Sequence, residues 1–265
     1  MRLASWNVNS LKVRLPHLLD WLELQRPDVV CLQETKLEDS NFPFDALQSA
    51  GYHVACAGQK TYNGVAILSR EPLTDVVRGI PGWQDEQQRV LTACIGAVRV
   101  VCVYVPNGQS VESDKYRYKL EWLAALKTYL QDELRRHAQL AVLGDYNIAP
   151  TGSDVYDPQV WKDVVLVSAP EREAFSALLG LGLVDSFSLF EHAEPVFTWW
   201  DYRMGAFRRN MGLRIDHILL SQALAGDCSD WRVDLEPRRR ERPSDHAPVL
   251  VDCNPDMQSA ASAAG

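Results

Sequence analysis

The feature that most constrains this chain is a repeated ending. Seven short apolar runs, rich in β-branched residues, stop at or beside polar side chains able to bind a metal or a phosphate. The runs are Leu3–Asn7, Asp28–Glu34, Val65–Ser69, Val98–Val105, Leu140–Asp145, Arg214–Leu220 and Ala247–Val251. Stretches of about four to eight such residues, without polar alternation, suit strands buried on both faces. The polar residues at their ends are Asn7, Glu34, Tyr104, Asp145 with Asn147, Asp216, and Asp245 with His246. Taken singly, each is explained by turn capping. Six strand ends of one kind are not. In layered α/β folds, ligands sit at strand ends, where adjoining loops are free to vary.

Helical patterns lie between the runs. Leu120, Leu123, Leu126, Leu130 and Leu134 recur at spacings of three and four, which predicts an amphipathic helix over Asp114–His137 with Asp114 near its N-cap. Leu15–Gln25 and Glu171–Leu181 give two more, the first with Pro16 in its opening turn, where the missing N–H costs nothing. Strands alternating with helices define an α/β layered fold. No Gly/Ser- or Pro-rich linker and no short repeat divides the chain, so residues 1–253 are expected to form one domain. Residues 254–265, ending Ser-Ala-Ala-Ser-Ala-Ala-Gly, lack core-forming content and read as a disordered tail.

Composition narrows the class. No apolar run approaches the roughly 18 residues of a membrane helix, and Met1–Leu11 lacks the apolar stretch of a signal peptide. A soluble, cytoplasmic protein without a membrane partner is expected. The six cysteines form no CxxC or CxxxC pair, and four of them lie inside apolar stretches, so they read as small buried hydrophobes in a reducing compartment. A formal net charge of −8 argues against simple coating of nucleic acid. Yet Arg203–Arg242 holds nine Arg and no Lys against six Asp or Glu. That segment is either a solvated face or the positive side of a metal-dependent phosphodiesterase, and composition leaves both open.

The side chains at the strand ends favour the second. Glu34, Asp145 and Asp245 are hard oxygen donors suited to Mg2+ or Mn2+, and Asn7 and Asn147 add neutral oxygens. His246 beside a carboxylate can exchange a proton near neutral pH or, when charged, bind a phosphate oxygen. Asp216 would orient that imidazole, as a buried Asp does in hydrolytic triads. Tyr104 can donate a hydrogen bond to developing charge.

With these residues in place the chain resembles the exonuclease III-type AP endonucleases of the endonuclease/exonuclease/phosphatase superfamily. The matching motifs are Trp6-Asn7-Val8-Asn9-Ser10-Leu11, Leu32-Gln33-Glu34-Thr35-Lys36, Tyr62-Asn63-Gly64-Val65-Ala66 and Tyr104-Val105-Pro106-Asn107-Gly108. Gly144-Asp145-Tyr146-Asn147, Trp200-Asp201-Tyr202-Arg203, Gly212-Leu213-Arg214-Ile215-Asp216 and Ser244-Asp245-His246-Ala247-Pro248 follow in the family's order. The resemblance implies a four-layered α/β sandwich, two central mixed β-sheets flanked by helices, with the site at one end. It implies Glu34 as the main metal ligand, with Asn7, Asp145, Asn147, Asp245 and His246 around the metal and scissile phosphate. Asp145 matches the residue that activates or positions the attacking water, assisted by Asn147. The base is left jointly to Asp145 and His246, with Tyr104 near the phosphate and Asp216 paired to His246.

The same resemblance implies a substrate: duplex DNA cut on the 5′ side of an abasic site, with 3′→5′ exonuclease and 3′-phosphatase or 3′-phosphodiesterase activity alongside. Mg2+ is the expected cofactor, Mn2+ a substitute, and a monomer acting on double-stranded DNA with abasic sites or blocked 3′ ends is the expected state. Flipping a baseless sugar is cheap, since no pairing or stacking is lost. Trp199, Trp200, Leu213 and Ile215 fall where the family builds the pocket for it, although ordinary core packing accounts for them equally. Arg203 and Arg214 lie where they could hold backbone phosphates. The Pro150–Ala169 stretch, which sets the endonuclease-to-exonuclease balance, stays unread. Two rivals remain: a non-catalytic nucleic-acid binder, which would be expected to lose metal ligands that are present here, and a phosphatase or phosphodiesterase for inositol phosphates or sphingolipids, whose secreted lipid-cleaving forms would want a signal segment.

Overall fold

All seven apolar runs form strands, and both faces of each are covered. The computed structural model describes residues 1–254, so the tail expected from residue 254 lies, beyond Asn254, outside the described residues. In chain order the elements are β1 (Arg2–Asn7), α1 (Leu11–Gln25), β2 (Val29–Gln33), α2 (Phe44–Ser49), β3 (His53–Ala57), β4 (Val65–Ser69), β5 (Thr74–Arg78), β6 (Val90–Ile95) and β7 (Val98–Tyr104). They continue with α3 (Asp114–Arg136), β8 (Leu140–Asp145), α4 (Ala169–Leu179), β9 (Leu183–Asp185), β10 (Asp216–Ser221), α5 (Gln222–Ala225), β11 (Cys228–Val233), α6 (Glu236–Arg239) and β12 (Val249–Cys253).

The strands make two sheets of six, in the orders β11-β12-β1-β2-β4-β3 and β5-β6-β7-β8-β10-β9. Each sheet is mixed: β1 with β2, and β7 with β8, run parallel, and the other pairs antiparallel. Alternate side chains of each strand explain the layering. Leu3, Cys31 and Ile67 point inward against Val100, Cys102 and Leu143 of the other sheet. Trp6, Val30 and Leu32 point outward to Leu18, Trp21 and Leu22 of α1 and Leu47 of α2. On the far side Val101, Val103 and Val142 meet Trp122, Leu126 and Leu130 of α3 with Phe175 and Leu178 of α4. The result is the four-layered α/β sandwich. Among the described residues, no helix is long and apolar enough to cross a membrane.

Helix starts differ from the sequence reading in instructive ways. Ser113, not Asp114, caps α3, its Oγ accepting the Tyr116 amide at 3.1 Å. Helix α1 begins four residues earlier than the leucine spacing implies, because the Ser10 and Leu11 amides bond the carbonyls of Glu34 (2.8 Å) and Thr35 (3.0 Å). Pro16 therefore lies in the second turn, not the first. Helix α4 starts at Ala169, where Ser168 and Glu171 form a reciprocal capping box.

Candidate active site

Strand register gathers the expected residues at one end of both sheets. Parallel pairing sets Asn7 of β1 opposite Gln33, with Glu34 next in the chain. Tyr104 pairs with Asp145 across β7 and β8, and Asp145 with Asp216 across β8 and β10. Because β1 packs face to face on β8 and β10, these ends converge. His246 enters just ahead of β12, with its carbonyl oxygen accepting from Trp6 Nε1 at 3.3 Å.

Three ligand atoms, one each from Glu34, Asp145 and His246, lie within 4.8 Å of one another. Asn7 Nδ2 stands between the two carboxylates, donating to Glu34 Oε1 and Asp145 Oδ2 at 2.9 Å each. His246 Nδ1 bonds Asp216 Oδ2 at 2.9 Å, while Nε2 faces Asp145 Oδ2 at 3.7 Å. The Asn147 amide N–H donates to Asp145 Oδ1 at 2.8 Å, and its side-chain Nδ2 reaches Asp145 Oδ2 at 3.3 Å. Asp245 stands apart from the three ligands, accepting from Asn9 Nδ2 (2.9 Å) and Trp199 Nε1 (3.0 Å).

The charges in this site do not balance. Burial pushes the Asp145 carboxyl up to about 7, with His246 opposing and Asp216 adding to the rise. Burial alone would lower the His246 imidazole, but Asp216 and Asp145 outweigh it and carry it up to about 10. Burial, then the Glu34 and Asp145 carboxylates, hold the Tyr104 phenol well above its ordinary value, so it stays a donor. Burial would raise Asp245 too, yet His246 and the N–H groups of Trp199 and Asn9 hold it below the ordinary value. Asp216 Oδ1 is buried without a hydrogen-bond partner. A buried excess of carboxylate oxygen relieves itself with a proton or a cation. The donor set, two carboxylates with one imidazole and a neighbouring amide, fits a hard divalent cation.

The backbone is bent to make this arrangement. Asn9 (φ 42°), Glu34 (φ 50°), Lys36 (φ 54°) and Asn147 (φ 49°) all adopt left-handed conformations, which cost about 1–3 kcal/mol each and survive only where surroundings over-determine them. Here the Thr35 and Lys36 amides bond the carbonyls of Gly64 (3.1 Å) and Asn63 (2.9 Å). Gly64 must be glycine, since a Cβ there would lie 2.2 Å from Thr35 Oγ1.

Most of the expected sugar-pocket residues are not at an open surface, and this corrects the sequence reading. Leu213 and Ile215 are buried under Ala149, Val155, Leu166 and Val167. Trp200 is buried, with its ring edge-on to Phe207 at 5.1 Å. Arg214 cannot hold a phosphate: its guanidinium is 4% exposed and committed to Asp154 (2.6 Å) and Asp185 (2.7 Å). Trp199 alone of the four apolar residues is half-buried and reaches the site through Asp245, and Arg203 lies on the exposed face. Sequence reasoning missed Lys36, whose Nζ lies 2.9 Å from Glu34 Oε2 and donates to Asn9 Oδ1 at 2.6 Å. It missed Arg89 too, which stacks 4.6 Å from the Tyr104 ring centre. The available signal was spacing: Asn9 and Lys36 each stand two residues after a strand-end ligand, on the same turn.

A sandwich whose strand ends converge on carboxylates, an Asp–His pair and a tyrosine defines a metal-dependent phosphoesterase architecture. Residues 4–246 match the endonuclease/exonuclease/phosphatase family model. The chain is 38% identical to exodeoxyribonuclease III of Haemophilus influenzae, covering 95% of this chain and 99% of that one. Among solved structures it is similar to the 3′ phosphatase NExo from Neisseria bound to a product DNA hairpin (TM-score 0.94, 48% identity, 96% of this chain and 99% of that one). It is similar also to an AP endonuclease from Archaeoglobus fulgidus (TM-score 0.93, 39% identity, 96% and 99% covered). The chain belongs to the endonuclease/exonuclease/phosphatase family and is an enzyme of its nuclease branch.

Proposed function

We propose that this enzyme hydrolyses the phosphodiester on the 5′ side of an abasic site in duplex DNA and processes 3′ ends, as exonuclease and 3′-phosphatase. The observation that carries this reading is the convergence of Glu34, Asp145 and His246 within 4.8 Å, with Asp216 behind the imidazole. Relatives named exodeoxyribonuclease III, 3′ phosphatase and AP endonuclease support it.

Glu34, Asp145 and Asn7 would hold Mg2+, or Mn2+ in its place, with His246, Asp245 and Asn147 around the ion and the phosphate. Such an ion supplies Lewis-acid charge at a phosphoryl oxygen. The environments of Asp145 and His246 divide the remaining work, since groups pushed apart in pKa take opposite proton roles. Asp145 accepts a proton from the attacking water, and Asn147 fixes its carboxylate. His246, kept charged by Asp216, donates Nε2–H to a phosphate oxygen. Tyr104, kept protonated, donates its hydroxyl to the same group. The reading carries with it a monomeric, cytoplasmic enzyme, and six unbridged cysteines support that compartment.

Within this reading, one observation favours 3′-end work over internal incision. Leu213, Ile215 and Trp200 are covered by their own neighbours, so these three offer little apolar surface to a flipped sugar, whereas a terminal phosphate needs none. The test uses three duplexes, with a single abasic analogue, intact, and 3′-phosphorylated, each with Mg2+ or with EDTA. Mg2+-dependent cleavage supports the nuclease reading, and faster release of the 3′-phosphate supports the 3′-end preference. Inertness on all three with Mg2+ and Mn2+ overturns the reading.

A further inference from the structure

Lys119 lies on the buried stripe of α3, fully enclosed, in a position where a lysine is rare. Its ammonium has three N–H groups and meets three acceptors. These are the Asn147 carbonyl at 2.7 Å, the Asn107 carbonyl at 3.2 Å, and the Glu171 carboxylate. Glu171 is equally enclosed and ties in a third segment, accepting from the Leu166 amide (3.0 Å), the Ser168 amide (3.1 Å) and Ser168 Oγ (2.6 Å).

The two carbonyls belong to the loops that leave β7 and β8 at the site. Their side chains continue the connection: Asn107 Nδ2 donates to Asn147 Oδ1 at 3.1 Å. Asn147 in turn fixes Asp145 through its backbone N–H at 2.8 Å. From Lys119 the Asp145 carboxylate is thus one residue away, through a peptide held in the left-handed region (φ 49°). The loop is also fitted to the lysine stem. Gly108 (φ 94°) approaches so closely that a Cβ there would lie 3.2 Å from Lys119 Cδ and 3.1 Å from Val165.

Stability alone does not call for an ion pair here. Well-packed apolar residues commonly replace a buried pair without loss of stability, and often with a gain. What an apolar side chain cannot do is hold two carbonyls of different loops at one point. We propose that Lys119, set by Glu171, is a positioning residue that clips the β7 and β8 loops together so that Asn147 presents the Asp145 carboxylate at its working angle. This rests on the nuclease reading above, in which Asp145 and Asn147 handle the attacking water.

The test replaces the pair with apolar residues of similar volume, K119M/E171L, and compares melting temperature, kcat and KM on the 3′-phosphorylated duplex with Mg2+. The expected result is a folded protein with a lowered melting temperature, since the carbonyls and amides the pair served lose their partners, KM within about threefold, and kcat lower by about 10–100-fold, the range for lost support of a ligand. In a D145N background the same pair should cost under about threefold more, because the lysine acts through that carboxylate. A folded pair variant with wild-type kcat overturns the proposal, as does a loss that multiplies in full on D145N. Should the apolar pair fail to fold, K119M/E171Q keeps an acceptor for the Ser168 amide, removes every donor to the two carbonyls and carries the same test. A readout without turnover separates failure here from failure of the nuclease reading: amide exchange over residues 146–149 should quicken in the pair variant while that of β8 does not, and unchanged exchange there overturns the clip.

Discussion

Two buried clusters of charge lie side by side on β10 and the segment leading into it, built from the same residue types and put to opposite uses. In one, Arg214 donates to Asp154 and Asp185 at 2.6 and 2.7 Å and to His217 Nδ1 at 2.9 Å, with its guanidinium 4.0 Å over the Phe187 ring. Asp154 also accepts from the Thr151 amide (2.8 Å) and hydroxyl (2.7 Å), and His217 Nε2–H donates to the Ile148 carbonyl at 2.8 Å. None of these four side chains leaves a buried polar atom without a partner. In the other, Glu34, Asp145 and Asp216 share one imidazole and one lysine, and Asp216 Oδ1 is orphaned. The first cluster is finished by the protein. The second is left short of positive charge, at the end of the sheets where a substrate can reach it. The contrast says that burial of charge by itself does not mark a functional site; a shortage of positive charge among buried carboxylates at the reachable sheet ends does.

The largest effect should separate the clusters outright. Glu34→Gln or Asp145→Asn is expected to cut Mg2+-dependent cleavage by about 10^3-fold or more while leaving the melting temperature level or higher, since each relieves carboxylate crowding. Arg214→Met should do the reverse. It strands Asp154 and Asp185 as uncompensated buried charges, a loss of about 3–5 kcal/mol in urea unfolding. Any activity it retains when folded should be near normal. If Arg214→Met melts like wild type, the first cluster is not structural and the comparison fails.

Why the sequence exposed one cluster and hid the other follows from where each sits. The residues of the candidate site lie at the ends of strands buried on both faces, so an unbroken apolar run leads to each of them, and register then fixes their meeting. Arg214, Asp154 and Asp185 come from a strand approach, a one-turn helix and a three-residue strand. No run leads to Asp154 or Asp185, and Arg214, at the head of its run, lies in a basic segment, where an arginine reads as surface. The strands that went unread follow the same rule. Of β3, β5, β6, β9 and β11, all but β6 are sheet edges, covered on fewer sides; β5 has no buried residue, and β11 buries only Trp231. In β6, Thr92 interrupts the apolar run, and its hydroxyl accepts from Tyr129 at 2.9 Å. The burial of Leu213 and Ile215 was not legible, because the loop that covers them carries no pattern of its own.

A smaller effect concerns metal. A cation held by Glu34 and Asp145 binds only the folded chain, so at about 100 times its dissociation constant it should add about 3 kcal/mol, which is a rise in melting temperature of about 5–10 °C. The rise should vanish in Glu34→Gln and persist in a folded Arg214 variant. A rise that survives Glu34→Gln would place the ion elsewhere.

The smallest signal is a slope, and it differs in sign between the clusters. A single group contributes at most about 1.4 kcal/mol per pH unit. Burial would raise Asp185, but Arg214 and His217 hold it well below the ordinary carboxylate range. Its folded value is thus depressed relative to about 3.9 in the unfolded chain. The stability it contributes is complete above that pH and is lost as pH falls below it. Asp145 runs the other way in metal-free protein. Its folded value of about 7 lies above the unfolded one, so its contribution is complete in acid and is lost as pH rises from about 4 through about 7. His246, raised to about 10, adds a further loss from about 6.5 upward. Urea unfolding in EDTA across pH 3 to 8 should therefore show Asp145→Asn flattening the slope between about 4 and 7, and Asp185→Asn flattening only the limb below about 4. If Asp145→Asn leaves the middle slope unchanged, the carboxylate is not destabilised by its burial. The excess of negative charge that distinguishes its cluster from that of Arg214 would then be absent.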